Sequence, residues 1–324
     1  MKTHRINLDL PPSNRWTSVI PEYIKHMPAL EQAYEATLKK EFGIYRFLIK
    51  LLLYCVRIPK SYEDELTSIS KLTKIKYTTL LGLNLGIEFL CGCTSASTQV
   101  AGVMLHLRNM DWDLPILRKL TCQVDYYKQG QLVFSSIQWI GFVGSFTAVK
   151  PNLSLSLNYR KDTKVSARQL YDIVSGRRIP ITFQIRDVFE REYNFNQVST
   201  LLQSSTSCSC YLLICSSQSS NLIVKNATSL KPKTNLTRLI QTNHDQDHNH
   251  FHNTLSESDY VKWCDHDELL LNSKDRWSTC KLLLEFETNP QYILETPPIL
   301  NDQTVYSCIM NPKRGTFDFV RVYE

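Results

Sequence analysis

The apolar residues change period near Leu90, and that change limits the folds open to the chain. Before it, EYIKHMPALEQAYEATLKK (22–40) and IYRFLIKLLLYCV (44–56) carry apolar residues three and four apart, the spacing of helices with one buried face. SYEDELTSISKL (61–72) opens on Ser61, placed as an N-cap ahead of acidic first-turn residues. From Thr98 the texture is that of strands: TQVAGVMLHL (98–107), then KLTCQVDYY and QLVFSSIQW around a hairpin turn at Lys128-Gln129-Gly130. SFTAVK and LSLSLNY follow, joined at Pro151-Asn152, and in the second Leu153, Leu155 and Leu157 alternate with serines as in a half-buried strand. Helices return at SARQLYDIV, where Ser166 and Gln169 fit a capping box, and over FQIRDVFEREYNFNQVSTLL (183–202). CYLLIC and SNLIVKN predict a further strand pair. Helices, a run of antiparallel strands, then helices again predict an α+β fold with sheet layered against helix.

With 324 residues, 43% hydrophobic and 21% charged, the chain has the composition of a folded protein with a large core. The net charge of +6 is spread along it without a block of five or six cations, which argues against nucleic acid as a partner. Tyr77 to Leu105 lacks Lys and Arg but contains Asn84, Glu88 and a Thr/Ser cluster, so it reads as buried core and not as a membrane span. The opening MKTHRINLDLPPSNRW has no apolar run of seven residues and no small-residue cleavage site, which reads as an intracellular start.

Three features have the residue types for chemistry. NHDQDHNHFHN (243–253) places His248, His250 and His252 beside Asp245 and Asp247, a set able to chelate a transition metal, although a solvated polar loop explains it as well. Cys91-Gly-Cys93 and Cys208-Ser-Cys210 together offer four thiolates, but structural zinc pairs space their cysteines by two or more residues. For most of the ten cysteines the expectation is a small, reduced, buried side chain. Cys93, however, stands at the junction of helical and strand textures. A Thr/Ser turn, a strand and LRNMDW (107–112) at that strand's end are expected to follow it.

Cys93-Thr-Ser, Arg108-Asn-Met-Asp111 and Gly141-Phe-Val-Gly144 resemble the acid ceramidase and N-acylethanolamine acid amidase family of N-terminal-nucleophile hydrolases. The likeness continues through RINLDLPPSNRW, LRKLTCQVDYYKQGQLVF, SLSLN, Thr242-Asn243 with Asp245, DRWS (275–278) and TVYS (304–307), in order along nearly the whole chain. It implies a four-layer αββα sandwich made as a precursor that cuts itself between Gly92 and Cys93. A helical α piece of residues 1–92 and a β piece of 93–324, which carries the catalytic core, would stay together as a heterodimer. Cys93 would then supply the nucleophilic thiol and, through its α-amine, a general base of unperturbed pKa about 7.7–8.0. Arg108 would lie beside the thiol, Asp111 toward the amine, and Asn243 would donate to the oxyanion. Arg276 would be a second positioning cation, or a structural ion pair. The implied activity is hydrolysis of a fatty-acid amide, ceramide or N-acylethanolamine, without metal or organic cofactor, on a lipid presented at a membrane surface in an acidic compartment. A non-lipid amidase and a lipid-binding protein of the same fold without turnover are the alternatives. Five departures from the family pattern bear on activity. Tyr159 follows SLN where a glutamate is usual, His244 follows Asn243 in place of tyrosine, and Trp277 replaces a second arginine. Gly92 stands for a bulkier apolar residue and CSSQSS (215–220) for a glycine pair.

Overall fold

The structure, a computed structural model, describes residues 1–90, 92–160, 172, 175–225, 232–245 and 266–323, with side chains for all of these but 86–90 and 266–269. Cys91, the Ser166/Gln169 capping box and His248, His250 and His252 lie outside the described residues. The helical region expected first is there, as α1 (Met27–Phe42), α2 (Arg46–Cys55), α3 (Lys60–Thr73) and α4 (Tyr77–Leu90). In α1, Met27, Leu30, Tyr34 and Leu38 bury one stripe, and the helix ends at Gly43, whose φ of 52° few other residues tolerate. Ser61 does not cap α3. The helix starts one residue earlier, where the carbonyl of Pro59 accepts the N–H groups of Tyr62 and Glu63. Ahead of the helices, Thr3–Asn7 is a strand (β1) where helical texture was expected, held by parallel pairing with a segment more than a hundred residues away.

Two sheets follow. The hairpin of β2 (Gly92–Val100) and β3 (Val103–Asp111) turns at Ala101-Gly102, both at positive φ, which suits the right-handed twist of the two strands. Thr94 to Thr98 are therefore strand and not turn, and the stretch 98–107 is broken in the middle. Arg108 to Asp111 form the last residues of β3. Strands β4 (Thr121–Lys128), β5 (Gln131–Trp139), β6 (Thr147–Lys150), β7 (Leu153–Tyr159), β8 (Cys210–Cys215), β9 (Ser220–Val224) and β10 (Lys233–Leu236) join β1 in an eight-stranded sheet ordered β1-β4-β5-β6-β7-β8-β9-β10. The second sheet is β11-β2-β3-β12-β13, with β11 at Leu239–Gln241, β12 at Thr304–Asn311 and β13 at Thr316–Val322. A short helix, α5 (Ile116–Leu120), links β3 to β4.

The sheets lie face to face, and β7 shows what that does. Its leucines join the main apolar core with Leu81 and Leu85 of α4, while its serines face the other sheet, where His106 hydrogen-bonds Ser154 and Ser156 at 2.9 and 2.8 Å. Both faces of the strand are thus buried, because a second sheet covers the side that alternation alone assigns to solvent. The helix expected over 183–202 is two, α6 (Ile181–Glu190) and α7 (Phe195–Ser204); Asn194 and Gln197 form a capping box that starts the second. Beyond the five-stranded sheet, α8 (His266–Phe286) and α9 (Pro290–Glu295) bury Cys280, Leu284, Ile293 and Leu294 against Ala96, Leu107 and Ile309. The order of layers is helix, sheet, sheet, helix.

The 1–90 region is tied to the rest by polar groups as well as by apolar area. Asn84 of α4 donates to the Gly141 carbonyl at 2.9 Å and accepts from Val143 N at 2.9 Å, which fixes the Gly141–Gly144 loop. Gly144 is required there, since a Cβ would stand 2.8 Å from Thr182. Buried Glu65 of α3 accepts from both Nη atoms of Arg186 at 2.8 Å, from Arg15 at 2.8 Å and from Trp16 Nε1 at 2.7 Å. The Arg186 guanidinium also lies near the rings of Tyr62 and Tyr126.

Candidate active site

Alternation along the β2–β3 hairpin sorts the candidate residues between its two faces. Cys93 is paired with Met110, and Ser95 with Arg108. Cys93, Ser95, Ser97, His106, Arg108 and Met110 face the eight-stranded sheet, whereas Thr94, Ala96, Leu107, Asn109 and Asp111 face the α8–α9 layer. Arg108 sits diagonally from Cys93 on the same face, and its Nη2 donates to the sulfur at 2.9 Å. Its Nη1 donates to Ser95 Oγ at 3.1 Å and to Asn158 Oδ1 of β7. The guanidinium is wholly buried and, among the described residues, hydrogen-bonds no carboxylate.

Arg276 reaches the same residue from the other side. From α8 its Nη1 donates to the Cys93 carbonyl at 2.7 Å and to Thr94 Oγ1 at 2.9 Å, and its Nη2 donates to Asn243 Oδ1 at 2.9 Å. Asp111 lies 3.5 Å from that guanidinium and accepts from Thr304 Oγ1 at 2.8 Å. It also flanks Gly92, where an added Cβ would come 3.3 Å from Asp111 Cβ. Asn243 Oδ1 accepts from the Cys93 backbone N at 2.8 Å. Its Nδ2, the group an oxyanion donor uses, donates to the Tyr159 carbonyl at 2.8 Å. The segment that holds Asn243 is anchored on both sides, by Ser273 Oγ accepting from Asn243 N at 2.9 Å and by Asp245 paired with Arg160 and Tyr211.

The five residues named from the likeness are therefore gathered around Cys93. Burial pushes the Cys93 thiol above its ordinary range; Arg108, Arg276 and the Asp111 backbone N–H oppose that rise, and the Asp111 carboxylate adds to it. The balance is upward, so the resting sulfur keeps its proton and needs a base to attack. Residues that sequence reasoning left unassigned also shape the site: Ser95 and Asn158 at Arg108, Thr304 at Asp111, Asn272 at Arg276 and Ser273 at Asn243. Ser95, Asn158 and Thr304 stood inside quoted motifs, but a serine, an asparagine or a threonine in a strand is an ordinary sight. Trp277, beside Arg276 on α8, turns to the outer apolar cluster and to Lys281. His244 is buried against Ser273 and Thr242. Cys208 and Cys210 are buried free thiols, and among the described residues no three His, Cys, Asp or Glu side chains gather as metal ligands would.

Known proteins resemble the chain over this same span. A family model described as the beta subunit of N-acylethanolamine-hydrolyzing acid amidase matches residues 1–57. The acid ceramidase of Balaenoptera acutorostrata scammoni is 28% identical over 97% of this chain and 84% of its own length. That of Mus musculus is 26% identical with the same coverage, and the N-acylethanolamine-hydrolyzing acid amidase of Caenorhabditis elegans is 24% identical over 95% of this chain and 88% of its own. The solved structure of the Caenorhabditis elegans N-acylethanolamine-hydrolyzing acid amidase ortholog superposes with a TM-score of 0.57 at 21% identity, covering 72% of this chain and all of that one, which establishes the fold. Layers, gathered residues and likeness agree: along nearly its whole length the chain is similar to acid ceramidases and to an N-acylethanolamine-hydrolyzing acid amidase.

Proposed function

We propose that the chain is a cysteine amidase that cuts itself between Gly92 and Cys93 and then hydrolyses the amide bond of an N-acyl lipid, ceramide or N-acylethanolamine. The observation that carries this reading is the setting of one residue: the Cys93 thiol takes a hydrogen bond from Arg108, its nitrogen gives one to Asn243 and its carbonyl takes one from Arg276. In the first step the sulfur attacks the Gly92 carbonyl carbon. The peptide C–N bond breaks as a thioester forms, and water hydrolyses that thioester to leave a Gly92 carboxylate, a free thiol and a new α-amine. In this reading the Asn243 oxygen, which accepts from the Cys93 amide nitrogen, goes on to accept from that amine.

Turnover repeats the chemistry on an outside amide. The amine takes the thiol proton, as an α-amine, whose unperturbed pKa is about 7.7–8.0, can do near neutral pH. The thiolate adds to the acyl carbon, and in this reading Asn243 Nδ2 donates to the oxyanion, a contribution of roughly 3–4 kcal/mol for a fixed amide donor. The ammonium returns its proton to the leaving amine, and water cleaves the thioester to free fatty acid. Asp111 holds charge near the amine and Arg276 positions both backbone and carboxamide. The two pieces, 1–92 and 93–324, remain one body through the Glu65 cluster and the Asn84 clip. Delivery of a lipid substrate from a membrane surface is supported by α2 and its lead-in, where Ile44, Tyr45, Phe47, Leu48, Leu51 and Tyr54 are each more than half exposed beside Arg46 and Lys50. No described helix is long and apolar enough to cross a membrane.

Intact mass after incubation between acidic and neutral pH, followed by fatty-acid release from ceramide and from palmitoylethanolamide, tests the reading. Two pieces with a free Cys93 amine and released acid are expected, and Cys93→Ala should show neither. Processed protein that binds an acyl amide and frees no acid would support the silent fold instead.

A further inference from the structure

Asn158 is almost fully buried between the sheets and meets both halves of the site. Its Oδ1 accepts from Arg108 Nη1 and, at 2.7 Å, from Ser95 Oγ. Its Nδ2 donates to the carbonyls of Gln241 at 2.8 Å and Thr242 at 3.3 Å, the two residues before Asn243. The next residue along β7, Tyr159, gives its carbonyl to Asn243 Nδ2. One carboxamide thus joins the cation on the sulfur to the segment on the nitrogen.

A neutral amide suits this place for two physical reasons. A carboxylate here would draw the guanidinium charge to itself and away from sulfur, and would have no N–H for the two carbonyls. An apolar side chain would leave buried partners on both sides unsatisfied. Resting on the amidase reading of the Cys93 site, we infer that Asn158 is a positioning residue that sets the Arg108 guanidinium on the Cys93 sulfur and the Asn243 carboxamide on the Cys93 nitrogen together. Thiol acidity and turnover are then linked through one side chain. The charged and titratable groups that bear on the pair are His106, Arg108 and Asp111 from β3, Arg276 from α8, and Tyr306 and Cys308 of β12, which face Arg108.

The test uses the full chain and reads the site-specific rate of Cys93 alkylation by iodoacetamide against pH, by peptide mapping, together with kcat and KM for palmitoylethanolamide. Asn158→Asp keeps the size and the acceptor oxygens. It should move the alkylation midpoint up by about one pH unit, the direction set by loss of a cation from the sulfur. It should also lower kcat about 10- to 100-fold with KM within about threefold, as misplacement of a catalytic group does. Ser95→Ala, a small change at the same contact, should shift the midpoint the same way by less. Ser154→Ala, which touches His106 and not Arg108, should not shift it. An unmoved midpoint in folded Asn158→Asp and Ser95→Ala, or an equal shift in Ser154→Ala, overturns the inference. Since alkylation needs no substrate, a shifted midpoint in a protein that hydrolyses neither lipid amide would sustain the positioning role and sink the amidase reading instead.

Discussion

Among the described residues, Arg108 and Arg186 are the two arginines with no exposed surface, and they are held in opposite ways. Arg186 is surrounded by compensation: two bonds to Glu65, one to Glu190 at 2.6 Å, one to the Val143 carbonyl at 2.6 Å, and aromatic rings nearby. Arg108 is held by a hydroxyl, a carboxamide oxygen and a sulfur. Carboxylates next to a buried cation spend its field locally. Neutral dipoles hold the cation in place and leave its field to act on the remaining neighbour. Arg186 therefore serves cohesion, and Arg108 serves the thiol. Tyr159 sits beside this difference, because the resemblance leads to the expectation of a carboxylate after Asn158 and this chain has a tyrosine there.

The sharpest way to break the contrast is at Glu65. Replacing it with leucine strands Arg186 without its main counter-charge, and removal of one partner from a buried pair costs about 3–5 kcal/mol. Urea unfolding of Glu65→Leu should show that loss, and the cut protein should part into its two pieces on size exclusion. Cys93 alkylation in whatever folded protein remains should be unchanged. Arg108→Leu should do the reverse. It removes a charge rather than stranding one, so the cost in stability should be about 1–2 kcal/mol, from the unsatisfied Ser95 and Asn158 groups. Fatty-acid release should fall at least about 100-fold, and self-cleavage, followed by intact mass, should slow. Equal stability losses in the two variants would erase the distinction.

A smaller effect sharpens it. Burial, with help from Arg108, lowers the pKa of His106 from 6.5 to about 3. The folded state then binds fewer protons than the unfolded state between those values, so stability is greatest above pH 6.5 and falls as pH drops toward 3, by at most about 1.4 kcal/mol per unit for this one group. His106→Gln should remove that slope from urea-derived stabilities measured between pH 6.5 and 4. Arg108→Leu should raise the His106 midpoint observed by NMR, showing that the field of this arginine extends beyond the sulfur.

How much of this was legible depended on whether the responsible contact is local. The turn at Gln129-Gly130 announces itself, but the one at Ala101-Gly102 does not, because alanine at positive φ is no turn signal. The β2–β3 hairpin consequently read as a turn and a single strand. The serines of β7 read as a wet face because alternation cannot reveal that a second sheet lies over them. Ser61 failed as a cap because a proline carbonyl two residues earlier had already taken the first helical bonds. At the site, Cys93, Arg108, Asp111, Asn243 and Arg276 were legible as letters in order. Which of them share a face follows only from register: Ser95 opposite Arg108 puts that arginine on the thiol and leaves Asp111 on the far side with Arg276. Asn158 was hidden because its four partners come from three separate strands and the segment that leads out of one of them.

The polar residues between the sheets have a further consequence. Two greasy faces in contact can slide past one another at little cost, since dispersion and burial have no preferred offset. Here Ser97 meets Ser220 at 2.7 Å, Ser95 meets Asn158 and Ser156, His106 spans Ser154 and Ser156, and Thr147 meets Tyr306 at 2.7 Å. A shift by one strand residue would leave several buried donors and acceptors facing carbon. These bonds act like the teeth of a ratchet that admits one setting, and that setting is what brings a cysteine on one sheet and an asparagine on the other to the same arginine. Filling the layer with leucine and valine would keep a compact pair of sheets that no longer agree on where the thiol belongs.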